Sequence, residues 1–538
     1  MPWTRALVGL VALAIFAPAA KADLYCVNTA SCSGGTVDPN FQQALNDAQV
    51  HAGPDTVQLG PGTYDSSLGF SYSGSDPVAI IGAGATGSTT VSDSGAANGT
   101  DALHITGSTA STVSGLNLVV YGNGTPFGSG LDTVGSADNI DVVGAPGSVN
   151  VIGITAGPAS VISHATVLVP FNGGSGFNEG VVTSPGTVVQ DSTIDGDEAV
   201  NVFGSGAPVT LRRLKISADL ESVFADTGTT VSLQDSLILS GSSDSVGLAA
   251  SQDPPVITAD NVTMIGPGTP GSIALLAHFG GSITFRNSIA VGYGTTFNTD
   301  STSSISSDYS DYPGTRSGTG TITEAHQLNV DPGFANASAG DYRLAAGSPL
   351  IDAGDPAGLA AGDSLTDLAG NPRLVGGRLD IGAYEFQPPP PPVAKDTTAP
   401  VFSGVSETNK VFAVGKSATP ISAKKVKVGT TFRYTLSEAS KVRLVIAQKL
   451  PGRRVGKACR KPTKRSQGKR CTRFVKKGTL TRNGTAGRNS VKFSGRIGRR
   501  ALKPGRYRVT ITATDTAGNV SKPATLPFRV VPAAKKHH

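Results

Sequence analysis

Two short acidic segments hold the residues best suited to chemistry. Asp195-Gly196-Asp197-Glu198 follows one run of β-branched residues, and Asp219-Leu220-Glu221 follows the next. Asp197 and Asp219 stand 22 residues apart, the step at which neighbouring copies of a repeat recur in this part of the chain, so the two can stack. Stacked carboxylates repel. One is then pushed to a higher pKa, which suits acid and base work, or the pair takes up Ca²⁺. Asp197, Glu198, Asp219 and Glu221 are thus the candidate catalytic residues, and Asp197 and Asp219 the candidate calcium ligands; no other cofactor is expected. A plainer account stands beside this one: Asp and Gly belong in exposed turns whatever a protein does.

A second concentration of charge spans 449–482. It includes Arg453, Arg454, Lys457, Arg460, Lys461, Lys464, Arg465, Lys469, Arg470 and Arg473, and a bond between Cys459 and Cys471 would clamp its centre into a loop. Residues 396–538 hold 34 Lys and Arg against 4 Asp and Glu, whereas residues 1–395 hold 11 against 35. The net charge of +6 therefore hides an acidic body and a strongly basic tail. Such a tail attracts polyanions. Only Phe474 interleaves the cations, which disfavours nucleic acid, since single strands are held on aromatic platforms. The plainer account is a soluble charged loop, or one that docks on the chain's own acidic part.

The elements that must position these groups are strands. Gly (68 residues) is abundant and charged residues are scarce at 16%, and Gly, Ser, Thr and Asp separate short Val, Ile and Leu clusters, a pattern that breaks helices. Residues 1–22 have the form of a signal peptide: Arg5, an apolar core from Ala6 to Ala17, and an Ala20-Lys21-Ala22 cleavage site. The apolar core is too short to span a bilayer. An exported chain meets an oxidising compartment, so Cys26 with Cys32 and Cys459 with Cys471 are expected as disulfides. One helix is expected near 38–48, with Asp38 as N-cap, Pro39 at the first position, and Phe41, Ala44, Leu45 and Ala48 on one face.

From about residue 110 short apolar strands recur. Asp191-Ser192-Thr193-Ile194 sets over Arg213-Leu214-Lys215-Ile216 and Asp235-Ser236-Leu237-Ile238 at steps of 22, and Asp260-Asn261 and Arg286-Asn287 follow at 25 and 26. Units of this length with no helix cannot bury their own apolar face, and stacking them makes a continuous core. Here the sequence resembles the pectin-lyase-like right-handed parallel β-helix superfamily, on Val57-Gln58-Leu59-Gly60-Pro61-Gly62-Thr63-Tyr64 after the cap helix. Asp331-Pro332-Gly333-Phe334, Tyr342-Arg343-Leu344, Gly347 to Gly354, Asp367 to Arg373 and Asp380 to Phe386 resemble the choice-of-anchor Q region at the end of many bacterial surface β-helices. Tyr384 and Phe386 are expected to cover the last coil. After five prolines, Asp396-Thr397-Thr398-Ala399-Pro400 and Asp515-Thr516-Ala517-Gly518-Asn519 resemble bacterial immunoglobulin-like domains.

The fold class that follows is all-β: a parallel β-helix joined to a small β-sandwich. The expected boundaries are 1–22 signal peptide, 23–330 β-helix, 331–387 its anchor-like end, 388–395 Pro-rich linker, 396–531 basic domain and 532–538 basic tail. The resemblance implies carbohydrate cleavage by a lyase with an Arg or Lys base, or by a hydrolase with paired carboxylates. The lyase case is thin: between residues 55 and 310 the cations besides His are Arg212, Arg213, Lys215 and Arg286, and alternation turns Lys215 outward with Arg213 on its face. His104, His164 and His278 are isolated, and Asn298-Thr299-Asp300 lacks partner motifs. The favoured function is a non-catalytic bacterial protein, secreted or held at the cell surface, that binds glycan or an anionic envelope polymer. It is taken as a monomer without a membrane-spanning segment. The rival is a polysaccharide lyase or glycoside hydrolase using the acidic patch.

Overall fold

The computed structural model describes residues 21–532 apart from 31, 84–86, 95–98, 171–175, 361, 390–394, 416–426 and 465–466. The expected signal peptide, most of the proline run, Arg465 and most of the basic tail lie outside the described residues. The chain divides into two compact units, Met1–Pro389 and Pro390–His538. Both disulfides form, Cys26–Cys32 and Cys459–Cys471. Among the described residues no helix is long and apolar enough to cross a membrane.

The first unit is a parallel β-solenoid of about 10 turns, its strands stacked in sheets of 14 and 19 strands. Its core is built one residue per coil. Val181, Val200, Val223, Leu248, Leu275 and Phe297 are consecutive partners across six coils, and each is fully excluded from solvent. Burial of each side chain of this kind contributes roughly 1.5–3 kcal/mol. The helix Phe41–Val50 buries Phe41, Ala44, Leu45 and Ala48 as its spacing requires. Its N-cap is Asn40, which accepts from the Gln43 N–H, rather than Asp38. The Asp38 N–H donates to the Cys26 carbonyl at 2.9 Å, continuing the pairing of Thr36–Val37 with Leu24–Val27, and the helix starts two residues later than expected.

From Gly115 onward each coil turns a corner through one left-handed residue. Asp191, Arg213, Asp235, Asn261 and Asn287 have φ between 47° and 56°. L-residues pay about 1–2 kcal/mol for this conformation, and Asn and Asp tolerate it best. The serine that follows ties the coils together. Ser192, Ser236 and Ser288 each donate to the carbonyl two residues back and accept an N–H from the preceding coil, from Ala165, Leu214 and Val262. This geometry corrects the repeat register. Gln234, Asp260, Arg286 and Asp308 are the strand partners, so Asn261 and Asn287, not Asp260 and Arg286, take the place of Asp235, and the coil steps are 22, 22, 26 and 26. The corner also removes Arg213 from the face of Lys215. Arg213 Nε lies 2.6 Å from Asp191 Oδ1 and Nη1 donates to Ser364 Oγ at 3.0 Å, while Lys215 is exposed.

Ser364 belongs to a strap. After the last stacked strand, Thr321–Ala325, the chain forms a small hairpin of Phe334–Asn336 with Asp341–Leu344. It then runs along the left-handed corners instead of covering the last coil as expected. Asp355 N–H donates to Asn287 Oδ1 at 2.7 Å, Ser364 reaches Arg213, Arg373 reaches Asp235, and Ala383 N–H returns to Thr263 Oγ1 at 2.9 Å. An apolar cluster of Ile289, Leu344, Leu350 and Ile381 and a buried ion pair hold the strap there. Arg373 is fully buried with its Nε 3.2 Å from Asp235 Oδ1, and its guanidinium donates to the Asp380 and Gly382 carbonyls. Burial holds the Asp235 carboxyl up at about 7 even so, with Arg373 opposing.

The second unit packs two sheets face to face. A three-stranded antiparallel sheet contributes Phe432 and Phe493, and a six-stranded sheet contributes Leu444, Val509 and Phe528 to one core.

Replacing Arg373 with Ala strands Asp235 without its counter-charge. The expected cost is about 3–5 kcal/mol at pH 8 and less at pH 5, where Asp235 takes a proton. Limited proteolysis checks this: cleavage within 345–386 should rise while the coil signal in circular dichroism persists. An unchanged cleavage pattern would refute the clamp.

Candidate functional site

The acidic segments lie on neighbouring coils in the strands Thr193–Val202 and Lys215–Ala225. Asp195 pairs with Ser217 and Gly196 with Ala218, then the register shifts, and Glu198 pairs with Glu221. The second strand therefore spends one extra residue opposite Asp197, a bulge that bends a strand and re-aims its side chains. Leu220 is left 45% exposed, and Asp219 lines the same pocket as Asp197. That pocket, of about 290 Å³, is walled by Gly176, Phe177, Asp197, Asp219, Leu220 and Ser242. Phe177 is held from behind by Phe127, edge to face at 5.3 Å between ring centres.

Asp197 is the buried member. Its Oδ2 accepts the Asn178 N–H at 2.6 Å, and its own N–H returns to the Asn178 carbonyl at 2.9 Å. Asn178 is fixed in turn: its side-chain amide donates to the carbonyls of Ser148 and Pro170 and accepts from the Val151 N–H. Burial pushes the Asp197 carboxyl up to about 6; Asp219, Glu198 and Asp195 add to the rise, and the Asn178 N–H opposes it. Burial, then Asp219, also raises Asp195.

Glu198 and Glu221 turn away from that pair into a second array. Glu179, Glu198 and Glu221 are consecutive partners on three coils, and neighbouring strands lie about 4.8 Å apart. Burial, followed by the charge of Glu198, raises Glu179 and Glu221 each to about 7. The buried Asn201 donates to Glu198 Oε2 at 2.7 Å. Three stacked carboxyls cannot all ionise cheaply, so the array stores protons near neutral pH.

The sequence did not point to Asn178, Phe177 or Glu179. Asn178 and Phe177 act from the coil before, and Glu179 precedes Glu198 by 19 residues where the expected step is 22. A coil-by-coil register would have found Glu179. Of the other candidates, Arg212 is committed to Gln190, Arg213 to Asp191, and Arg286 to Asp260. His104 bridges Asp101 and Asp132, His164 meets Asp138, and His278 meets Asn298. Asp197 and Asp219 are not in either group of three His, Cys, Asp or Glu ligand atoms that lie within 4.8 Å of one another among the described residues. Those groups are Asp101/His104/Asp132 and Asp396/Glu438/Asp515.

In the second unit the basic segment is a strand pair at the edge of the six-stranded sheet, its first strand also paired with Gly505–Thr514 along 441–448. Ser440–Val455 and Arg470–Gly484 pair along their length, and Cys459–Cys471 joins the turn strand Ala458–Arg460 to it. Arg453, Arg460 and Arg470 share one face, since Arg453 is the partner of both others. Arg454 and Arg473 alternate to the opposite face, and Lys457, Lys461, Lys464 and Lys469 are exposed near the turn.

The glutamate array makes stability fall with pH. Unfolded glutamates release their protons near 4.5, whereas Glu179 and Glu221 hold theirs to about 7. Their contribution is whole below pH 4.5 and gone above about 7. Glu221→Gln should therefore raise the melting temperature at pH 8 and leave it unchanged at pH 4. The gain should be roughly 1–2 kcal/mol, as the side chains keep part of their hydration. Thermal melts across that range check the sign.

No family model matches the sequence, and no curated protein matches it. Solved structures do resemble this chain in fold. The pectate lyase Pel9A superposes with a TM-score of 0.46 at 13% identity, covering 69% of this chain and 97% of that one. The Streptococcus pneumoniae surface protein and adhesin PfbA gives 0.28 at 9%, covering 54% and 93%. Tailspike protein 4 of bacteriophage CBA120 gives 0.26 at 9%, covering 91% and 65%.

Proposed function

We propose that this is an exported, surface-associated bacterial protein that binds polysaccharide on its solenoid, at the pocket of Asp197 and Asp219. One observation carries this reading. The register shift at Leu220 gathers two carboxylates, Phe177 and Leu220 around one open pocket. Sugars offer hydroxyl groups that carboxylates accept and apolar ring faces that an aromatic wall covers, and a concave site with few convergent polar groups is the usual form of a ligand site. In this reading residues 1–22 direct export, where both disulfides are stable. The second unit is an immunoglobulin-like module, and the strap is the choice-of-anchor Q region.

A second reading, glycoside hydrolysis, is favoured by the carboxyl of Asp197. Held up at about 6 by burial, it keeps a proton in mildly acidic solution, as a general acid must, beside a second carboxyl at Asp219.

Calorimetric titration with a panel of neutral and acidic oligosaccharides tests both. Phe177→Ala and Asp219→Asn should each weaken binding by about tenfold or more. Wild-type affinity in both variants would remove the pocket as the site. If the pocket also cleaves, reducing ends should appear and Asp197→Asn should slow their release by about 10²–10⁴-fold; binding without release leaves only the first reading.

A further inference from the structure

The outward face of the six-stranded sheet in the second unit is a lattice of arginines without counter-charges. Alternation sets it: Val442, Leu444, Val509 and Ile511 are buried, so Arg443, Lys449, Arg506 and Arg508 point the other way. Strand pairing then brings like charges together. Arg506 is the direct partner of Arg529, and Arg453 lies between Arg470 and Arg460. Directly opposed like charges destabilise a sheet, yet among the described residues no Lys or Arg of this unit has a carboxylate within 4.0 Å; all such pairs lie in the solenoid unit. Three of the unit's four acidic residues, Asp396, Glu438 and Asp515, gather instead at the Ser440 end of the Ser440–Val455 strand, away from the turn that Cys459–Cys471 closes.

From this geometry we infer that the face binds a linear anionic polysaccharide laid flat across the sheet, with successive acidic groups meeting Arg529/Arg506 and then Arg470/Arg453/Arg460. Neighbouring strands about 4.8 Å apart, and alternate residues along a strand about 6.7 Å apart, hold the guanidinium groups at regular intervals. Each guanidinium takes a carboxylate or sulfate in a two-pronged contact. Nucleic acid fits less well. Phe474 is the exposed aromatic on this face, and Arg508 covers its ring at 3.6 Å, which leaves no platform for a base. The inference is independent of the solenoid pocket. It narrows the basic cluster to one face, excluding Arg454 and Arg473 and adding Arg506 and Arg529, which lie outside the cysteine-clamped loop.

The full-length protein is titrated with polygalacturonate, which carries one carboxylate per sugar, and with oligothymidylate of matched charge, at low and high salt. The variant R453Q/R470Q/R506Q should bind polygalacturonate about tenfold or more weakly. The control R433Q/R488Q/K492Q removes the same charge from the exposed face of the three-stranded sheet and should bind as wild type does. The first variant should also melt no lower than wild type, because it relieves opposed charges. Equal weakening in both variants, no wild-type binding to polygalacturonate, or tighter binding to oligothymidylate would each overturn the inference.

Discussion

From Gly115 onward the solenoid depends on one backbone constraint: each coil places a residue in the left-handed region at the same corner. If one coil turned a residue early, its strand would slip by one, and its core valine would face water. The corner is thus where register is set, and the chain spends its short polar residues there. Asp191, Asp235, Asn261 and Asn287 accept the conformation at low cost, and the serines after Asp191, Asp235 and Asn287 lock those turns to the coil before. Arg213 is the costly member of the series, and it is also the one that bonds to the previous coil's Asp191 and to the strap's Ser364. The strap meets three of these corners: Asn287 accepts its Asp355 N–H, Arg213 donates to its Ser364, and the buried Asp235 faces its Arg373.

Exact stacking has a second consequence. A parallel solenoid brings each side chain beside its counterpart on the next coil, so any acidic residue that recurs meets its own kind. Glu179, Glu198 and Glu221 show this directly. The fold tolerates the array by letting two of the carboxyls keep protons toward neutral pH. At Asp197 the outcome differs because the neighbouring strand carries one residue more. The bulge at Leu220 breaks the ladder, opens a pocket and leaves two carboxyls in unlike surroundings, one buried under Asn178 and one at the pocket wall. A regular coil would have made another ladder.

The basic sheet obeys the same rule in antiparallel form. Arg453 meets Arg470 and Arg460, and Arg506 meets Arg529, because pairing sets them opposite. In both units like charges have been placed where the fold itself gains nothing from them.

The sequence by itself determined the class of the fold. The period-two apolar runs, their recurrence at about two dozen residues and the turn residues between them admit a stack of coils and exclude a helical protein, because strand burial and coil length are both written in local order. It also placed Asp197 and Asp219 on adjacent coils, since 22 residues is one turn, and it exposed the division of charge. Tertiary structure alone decided which neighbours those residues would have. The corner sits one residue later than Asp260 and Arg286 suggest, the strap runs along the flank instead of over the end, and Glu179 joins Glu198 at a shorter step. The arginines divide between two faces of a sheet. Each of these turns on register, and register is fixed by pairing between segments whose own sequences fit more than one alignment until the corners and the core lock together.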